Sequence, residues 1–392
     1  MLKLKHEPKD FIVEEISNIT LSKTGTFNIY KLTKENLETI ELIKHIAFEN
    51  NISLQEIGYA GIKDKRAITT QYISTPKNKP LKKLKGRGYS LTLIGNSNSN
   101  IETGDLVSNK FTITIRNIND FELKNFEKYK EYVTIGVPNY FDSQRFGSYL
   151  EGEFIGKLVL EKKWEEAVYL FLYLSYLKLY TNPNNKKSNK NSKKPYSKEK
   201  FYSLISNFEK ILPYPYYNSL KSVFKSTQNF KQVFLKIPKK QQELFVMAYQ
   251  SYLFNECVKE VLVKHIGTKN IEKVSYEAGV LFFPINFSRK VEGINSFPLI
   301  GRKDEFTQFE EEIISTILQR ENLDFSAIKS LSKTGVFLKT QHRNLFTIPK
   351  NFKVEEGGEE YFQGKKRTKI VLSFELEKGA YATNIIKFLF RK

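Results

Sequence analysis

At 392 residues the chain is long enough for two domains, or for one domain carrying a large insertion, since domains usually hold about 100–200 residues; 40% hydrophobic and 14% aromatic residues exclude a generally disordered chain. Lys and Arg total 63 against 43 Asp and Glu, a formal charge of +20. Such a field concentrates anionic partners, nucleic acid first among them, although lysine bias spread over the whole chain gives the same sum without making a site.

In chain order, the start MLKLKHEPKDF has no apolar stretch of the kind a secretory signal needs. DFIVEEI, from residue 10, reads as a strand, and NLETIELIKHIAFEN, 36 to 50, places apolar residues at helical spacing. YSLTLIG and KFTITIRNI (110 to 118) are strands; in the second, Phe111, Ile113 and Ile115 alternate with Thr112 and Thr114. Sheet and helix interleave irregularly, which suggests an α+β domain more than a doubly wound one. From about residue 154 the character turns helical, with GKLVLEKKWEEAVYLFLYLSYLKLY and QQELFVMAYQSYLFNECVKEVLVKHI. AVYLFLYLSYLKLY, 167 to 180, is shorter than the roughly 20 residues a bilayer span requires and contains Lys178, so a buried helix is expected and no membrane.

TNPNNKKSNKNSKKPYSKEK, 181 to 200, reads as a flexible loop or linker, its lysines either tracking phosphates or simply solvated. Cys257, the one cysteine, lies among apolar residues in FNECVKEVLV; it excludes an intramolecular disulfide and fits a buried, inert thiol in a reducing, cytoplasmic compartment. Four dispersed histidines give no zinc-like spacing, so no metal is expected. NLFTIP (344 to 349) and KIVLSFEL (369 to 376) return to strand character, and GAYATNIIKFLF reads as turn and helix. The two ends look alike and unlike the middle, which suggests one discontinuous domain, residues 1–154 and 336–392, interrupted by a helical insertion over 155–335.

Two stretches carry candidate chemistry. In GYAGIKDKRAITTQ, 58 to 71, Gly58 and Gly61 permit a tight or φ-positive backbone that brings Asp64 close to a ligand. Lys63, Lys65 and Arg66 favour the ionised carboxylate of a nucleophile or base. On composition alone the simpler reading, a Gly-rich surface turn with a solvated Lys-Asp-Lys, stands ahead. In PNYFDSQRFGS, 138 to 148, Tyr140 or Phe141 is suited to stacking on a base, Asn139 to bonding its edge or positioning a catalytic group, and Arg145 to contacting phosphate. A core corner with packed aromatics is the alternative, above all for Phe146.

Taken together and in this order, GYAGIKDKRAITTQ and NYFDSQRFG resemble the two signature motifs of the TruD family of tRNA pseudouridine synthases. KHEPKDFIVEE near the start, GDLVSNKFTITIRN at 104 to 117, QSYLFN at 250 to 255 and SFELEKGAYAT at 373 to 383 extend the resemblance over nearly the whole chain. It implies a pseudouridine synthase fold with a mixed, largely antiparallel central sheet and a mainly helical insertion domain. It further implies Asp64 as the catalytic carboxylate, with Lys5 as the neighbouring cation that keeps it charged and oriented. Phe11, Asn139, Phe141 and Tyr381 are implied to line the uridine pocket, alongside Lys63 and Arg145 from the motifs themselves.

The implied reaction extrudes a uridine, position 13 of tRNA, breaks its N1 glycosidic bond, turns the uracil and rejoins it through C5. It needs no cofactor, because atoms are only rearranged. The implied partner is tRNA; no protein partner is implied, and a monomer is expected. Three other classes remain open: an RNA-binding protein without catalysis, a glycosylase that releases free base, and a lysine-rich interaction protein with no site.

Overall fold

Alternation between apolar and polar side chains, visible in KFTITIRNI, recurs along the first 118 residues and builds most of one sheet. Its strands are β1 (Phe11–Ser17), β2 (Phe27–Glu35), β3 (Gly58–Tyr59), β4 (Ile68–Pro76), β5 (Lys85–Gly86), β6 (Tyr89–Ser97) and β7 (Leu106–Ile118). Helix α1 (Thr39–Glu49) follows β2, its first turn capped by the Glu38 side chain, which accepts from the Glu41 N–H. Helix α2 (Asp120–Tyr129) follows β7 and opens with a capping box between Asn119 and Glu122. The short strand β8 (Val137–Pro138) comes next.

This computed structural model describes residues 2–181, 197–206, 217–285, 294–302 and 305–391. The lysine-rich stretch read as a loop lies, over 182–196, outside the described residues. The chain divides into two units, Met1–Asn139 with Phe346–Lys392, and Tyr140–Leu345.

The Tyr140–Leu345 unit begins with a two-stranded pair, β9 (Tyr149–Leu150) and β10 (Glu153–Phe154), and continues with helices α3 (Ile155–Leu160), α4 (Trp164–Thr181), α5 (Lys198–Ser206), α6 (Tyr217–Thr227), α7 (Phe230–Leu235) and the 28-residue α8 (Lys239–Ile266). Gly156 lets α3 lie directly on α8: a Cβ there would stand 2.4 Å from the Phe245 carbonyl oxygen. Helix α8 buries Phe245, Val246, Tyr249, Leu253, Phe254, Cys257, Val258, Val261 and Leu262. Full burial pushes the Cys257 thiol far above its ordinary range, in keeping with an inert core residue. The unit also holds a hairpin, β11 (Ile271–Tyr276) with β12 (Gly279–Pro284), and a pair, β13 (Ser296–Leu299) with β14 (Gln341–Asn344), with α9 (Gln308–Arg320) and α10 (Phe325–Ser330) between them. Among the described residues no helix is long and apolar enough to cross a membrane.

The chain then returns to the first unit with β15 (Phe346–Thr347), which pairs β8, with the long hairpin β16 (Lys350–Phe362) and β17 (Lys365–Glu377), and with α11 (Ala382–Leu389). The main sheet runs β16-β17-β7-β1-β4-β2-β6-β5, with β3 attached to β4. Only β1 and β4 are parallel; every other neighbour is antiparallel, so the sheet is mixed and largely antiparallel as expected. Leu42, Ile43, Ile46 and Ala47 of α1 pack on Tyr30, Leu32, Ile73 and Leu91 of the sheet. Burial of each large aliphatic side chain in this layer contributes about 1.5–3 kcal/mol relative to exposure. That layer gives the loop between β3 and β4 a rigid frame.

Candidate active site

Asp64 lies in that loop, and the loop is tied down on every side. The Ala60 carbonyl accepts from the Gly104 N–H at 2.8 Å, and the Gly61 carbonyl from the Gln71 side-chain amide at 3.2 Å. The Thr39 hydroxyl both donates to the Lys63 carbonyl and accepts from the Lys63 N–H, each at 3.1 Å. The Lys34 ammonium donates to the Asp64 carbonyl at 2.7 Å. A carboxylate on such a backbone is held in place by the fold itself, as an acid, base or nucleophile requires.

Neither glycine of the motif has the positive φ that its type permits. Gly58 is required instead by close approach: a Cβ would fall 2.3 Å from the Ile101 carbonyl oxygen and 2.4 Å from both the Asn100 Oδ1 and the Ser74 Oγ. Gly61 has room for one, its nearest neighbour being Leu106 Cδ2 at 3.7 Å. Gly58→Ala is therefore expected to destabilise the protein by about 1–3 kcal/mol through overpacking, while Gly61→Ala is expected to stay near wild type; denaturant melts of the two variants check the contrast.

The carboxylate meets a cation from the other end of the motif list. Lys5 Nζ stands 2.6 Å from Asp64 Oδ1, with the two side chains 17% and 22% exposed, so the pair is sheltered yet reachable. The same ammonium lies 3.9 Å from the centroid of the Phe11 ring, a cation–π contact. Phe11 is buried and packs edge-on against Phe111. The backbone of Lys5 is left-handed, φ 55°, a conformation that costs a side-chain-bearing residue about 1–3 kcal/mol and persists only where the surroundings impose it. They do so here: Lys3 exchanges two backbone hydrogen bonds with Arg116 at 2.9 and 3.0 Å, and the Arg116 guanidinium grips buried Asp10 and also Glu360. These partners raise the ionisation of Arg116 above its ordinary value, the Asp10 hydrogen bond most of all.

Lys63 follows a different course from the one its sequence position suggests. Its ammonium reaches Glu15 at 2.7 Å and Asn109 Oδ1 at 2.7 Å, residues that face each other across β1 and β7. Both members of the ion pair are buried. Lys63 thus braces the loop through its side chain as well as its backbone. Asn139, also buried, closes β8, and Tyr381 stands at the start of α11, its carbonyl accepting from the Asn384 N–H at 3.0 Å. The structure therefore places the Lys5 ammonium against both Asp64 and Phe11, and gives Lys63 to the sheet.

Phe141 and Arg145 belong to the other unit. The side-chain amide of Asn255 on α8 accepts from the Phe141 N–H and donates to the Phe141 carbonyl, both at 2.8 Å. The Phe141 ring packs edge-on against Phe254, with the Arg343 guanidinium 4.2 Å and that of Arg145 5.7 Å from its centroid. Arg145 Nε also donates to the Ser251 hydroxyl at 3.0 Å. QSYLFN thus supplies the support for NYFDSQRFG, with Ser251, Phe254 and Asn255 all touching it. Asn255→Leu would strip two buried backbone groups of their partners, at about 1–3 kcal/mol each. Its expected result is a fall in denaturant midpoint together with an altered Phe141 environment, read from the broadening or shift of that ring's NMR resonances. Asn255 lies in QSYLFN, which the resemblance already singles out; Lys34, Thr39 and Arg343 had no sequence signal of their own, because the contacts that matter here join them to residues far along the chain. Among the described residues no group of three or more His, Cys, Asp or Glu side chains could hold a metal ion.

The family model described as "tRNA pseudouridine synthase D (TruD)" matches residues 2–275 and 285–388. A protein of Methanocaldococcus jannaschii named "Probable tRNA pseudouridine synthase D 2" is 38% identical, covering 99% of this chain and 92% of its own length. The "tRNA pseudouridine synthase D" of Aquifex aeolicus is 29% identical over 99% of this chain and 98% of its own. A crystal structure of a TruD protein from Methanosarcina mazei aligns over 100% of this chain and 93% of its own, with a TM-score of 0.66 at 25% sequence identity. A match that runs from residue 2 to residue 388, on a mixed sheet whose loop pairs a carboxylate with a lysine, places the chain in the TruD family of tRNA pseudouridine synthases.

Proposed function

We propose that the protein isomerises uridine 13 of tRNA to pseudouridine, with Asp64 as the catalytic carboxylate and Lys5 as its cationic partner. The observation that carries this reading is the 2.6 Å Lys5–Asp64 pair, set on a loop whose backbone is fixed at residues 60, 61, 63 and 64. A stacked uridine cannot reach that carboxylate, so it must leave the helix, at a cost of a few kcal/mol. Phosphate contacts drawn by the +20 charge and stacking on an aromatic offset that cost. In the unit that holds Asp64, Asn139 and Tyr381 are the candidates to line the base; in the Tyr140–Leu345 unit, Phe141 is the candidate to stack on a base and Arg145 to take a phosphate.

The chemistry conserves atoms. Asp64 either bonds to C1′ as N1 leaves, or removes the C2′ proton as the N1–C1′ bond breaks; C5 then bonds to C1′ while the Asp64–C1′ bond breaks or the proton returns to C2′, N1 takes up a proton, and the hydrogen on C5 leaves as a proton. Lys5 offsets the charge of the carboxylate while the glycosidic bond is open, and a site closed to water keeps the free uracil from escaping. Tritium release from unmodified tRNA labelled at uridine C5 is the test. Release in step with pseudouridine, with no free uracil, is the expected result. Free uracil would indicate a glycosylase, and salt-sensitive binding without release would indicate an RNA-binding module; either overturns the proposal.

A further inference from the structure

We propose that Lys34 is a positioning residue for Asp64: a buried ammonium on β2 that clamps the backbone of the catalytic residue and keeps its carboxylate aimed at the nucleotide. The inference rests on the role given to Asp64 above. Lys34 is 0% exposed, a condition lysines almost never meet unless paired with an opposite charge. Its ammonium is given to two backbone carbonyls instead, Asp64 at 2.7 Å and Leu37 at 2.9 Å. A methionine would fill the same space without desolvating a charge, so packing alone does not account for a lysine here. A single cation with several donors can bridge the strand–helix connection and the catalytic loop, and Lys34 does so at the residue whose side chain does the chemistry.

Burial lowers the Lys34 ammonium to about 8, against the upward pull of the Asp64 and Glu38 carboxylates and with a small downward push from Lys63. Tyr89, opposite Lys34 on β6, has its own ionisation raised by burial and stays a neutral phenol in this range. Above that pH the amine keeps N–H donors but loses its charge, so both carbonyl bonds weaken and the hold on Asp64 slackens. Stability moves the other way. The unfolded chain holds this proton up to about 10.5 and the folded chain only to about 8, so the lysine's contribution to folding improves as pH rises through that window. A group that matters only to the fold would not separate activity from stability in this manner.

The experiment is single-turnover tritium release at saturating enzyme, followed from neutral to alkaline pH, for wild type, Asp64→Asn, Lys34→Met and Lys34→Arg, with tRNA affinity measured in parallel. Misplacement of a reacting group by about 1 Å costs on the order of a hundredfold, so Lys34→Met is expected to lose about tenfold to a hundredfold in rate with tRNA affinity near wild type. Wild type is expected to lose activity with a midpoint near pH 8. Lys34→Arg, which stays charged throughout, is expected to retain most of the neutral rate and to lack that midpoint. A wild-type rate in Lys34→Met, or an unchanged alkaline midpoint in Lys34→Arg, overturns the inference; should Lys34→Met not fold, the arginine comparison decides alone. An inactive wild type would sink the functional reading itself, whereas active wild type, inactive Asp64→Asn and unaffected Lys34→Met would sink only the role of Lys34.

Discussion

Asp64→Asn is expected to abolish isomerisation, lowering the single-turnover rate by at least about a thousandfold, in line with the size of effects attributed to acid–base and nucleophilic groups. The amide is nearly isosteric with the carboxylate and can still accept a hydrogen bond from Lys5, so the 2.6 Å contact loses its charge but not its geometry. The loop backbone has its own anchors at Thr39, Lys34, Gln71 and Gly104, none of which involves the side chain being changed. Folding and tRNA affinity should therefore stay close to wild type while tritium release disappears. Release within tenfold of wild type would remove Asp64 from the mechanism and leave the Lys5 pair as an ordinary ion pair. Loss of tRNA binding in parallel would assign the carboxylate to recognition.

Much of this site could be read along the chain, and the reason for what could not is physical. Strands with one buried face announce themselves: Phe111, Ile113 and Ile115 are buried as their alternation requires. The edge strand β16 is exposed along nearly its whole length, so neither face of it needs apolar residues and no alternation marks it. The hairpin β11–β12 sits inside a region whose overall character is helical, and the pairing of Val137–Pro138 with Phe346–Thr347 is too short to leave a pattern. The sequence places a change of character near residues 154 and 335, while the chain passes from one unit to the other at 139/140, inside the NYFDSQRFG motif, and back at 345/346.

Glycine chemistry was informative for a different reason than expected. Gly58 answers a steric demand made by residues 74, 100 and 101, which no local rule could anticipate. The left-handed backbone fell on Lys5, a residue with no propensity for it. Lys34 and Lys63 read as members of a general lysine excess; what distinguishes them is burial against partners 20 to 50 residues away.

Lys5→Gly is the second large effect expected, and its value lies in the contrast between activity and stability. At φ 55° a glycine avoids the crowding of Cβ against its own carbonyl, worth about 1–2 kcal/mol, and gives back part of that through the greater freedom of the unfolded chain, about 0.5–1 kcal/mol. The ion pair it removes is partly open to solvent, 17% and 22% exposed, and such pairs add little to stability. The variant should therefore melt near wild type. Its rate should fall about a hundredfold to a thousandfold, the range found when one preorganised electrostatic partner is taken from a reacting centre. Lys5→Met keeps the strained backbone and the contact with Phe11 but not the charge, and should lose as much activity while melting no higher than Lys5→Gly. Thermal melts with single-turnover tritium release on the same preparations test both. If Lys5→Gly unfolds at markedly lower temperature, the left-handed turn is held by the ion pair and not by the Lys3–Arg116 bridge and the Asp10 clamp. If it keeps its rate, the ammonium beside Asp64 is a fold contact and the charge balance of the open glycosidic intermediate must come from elsewhere.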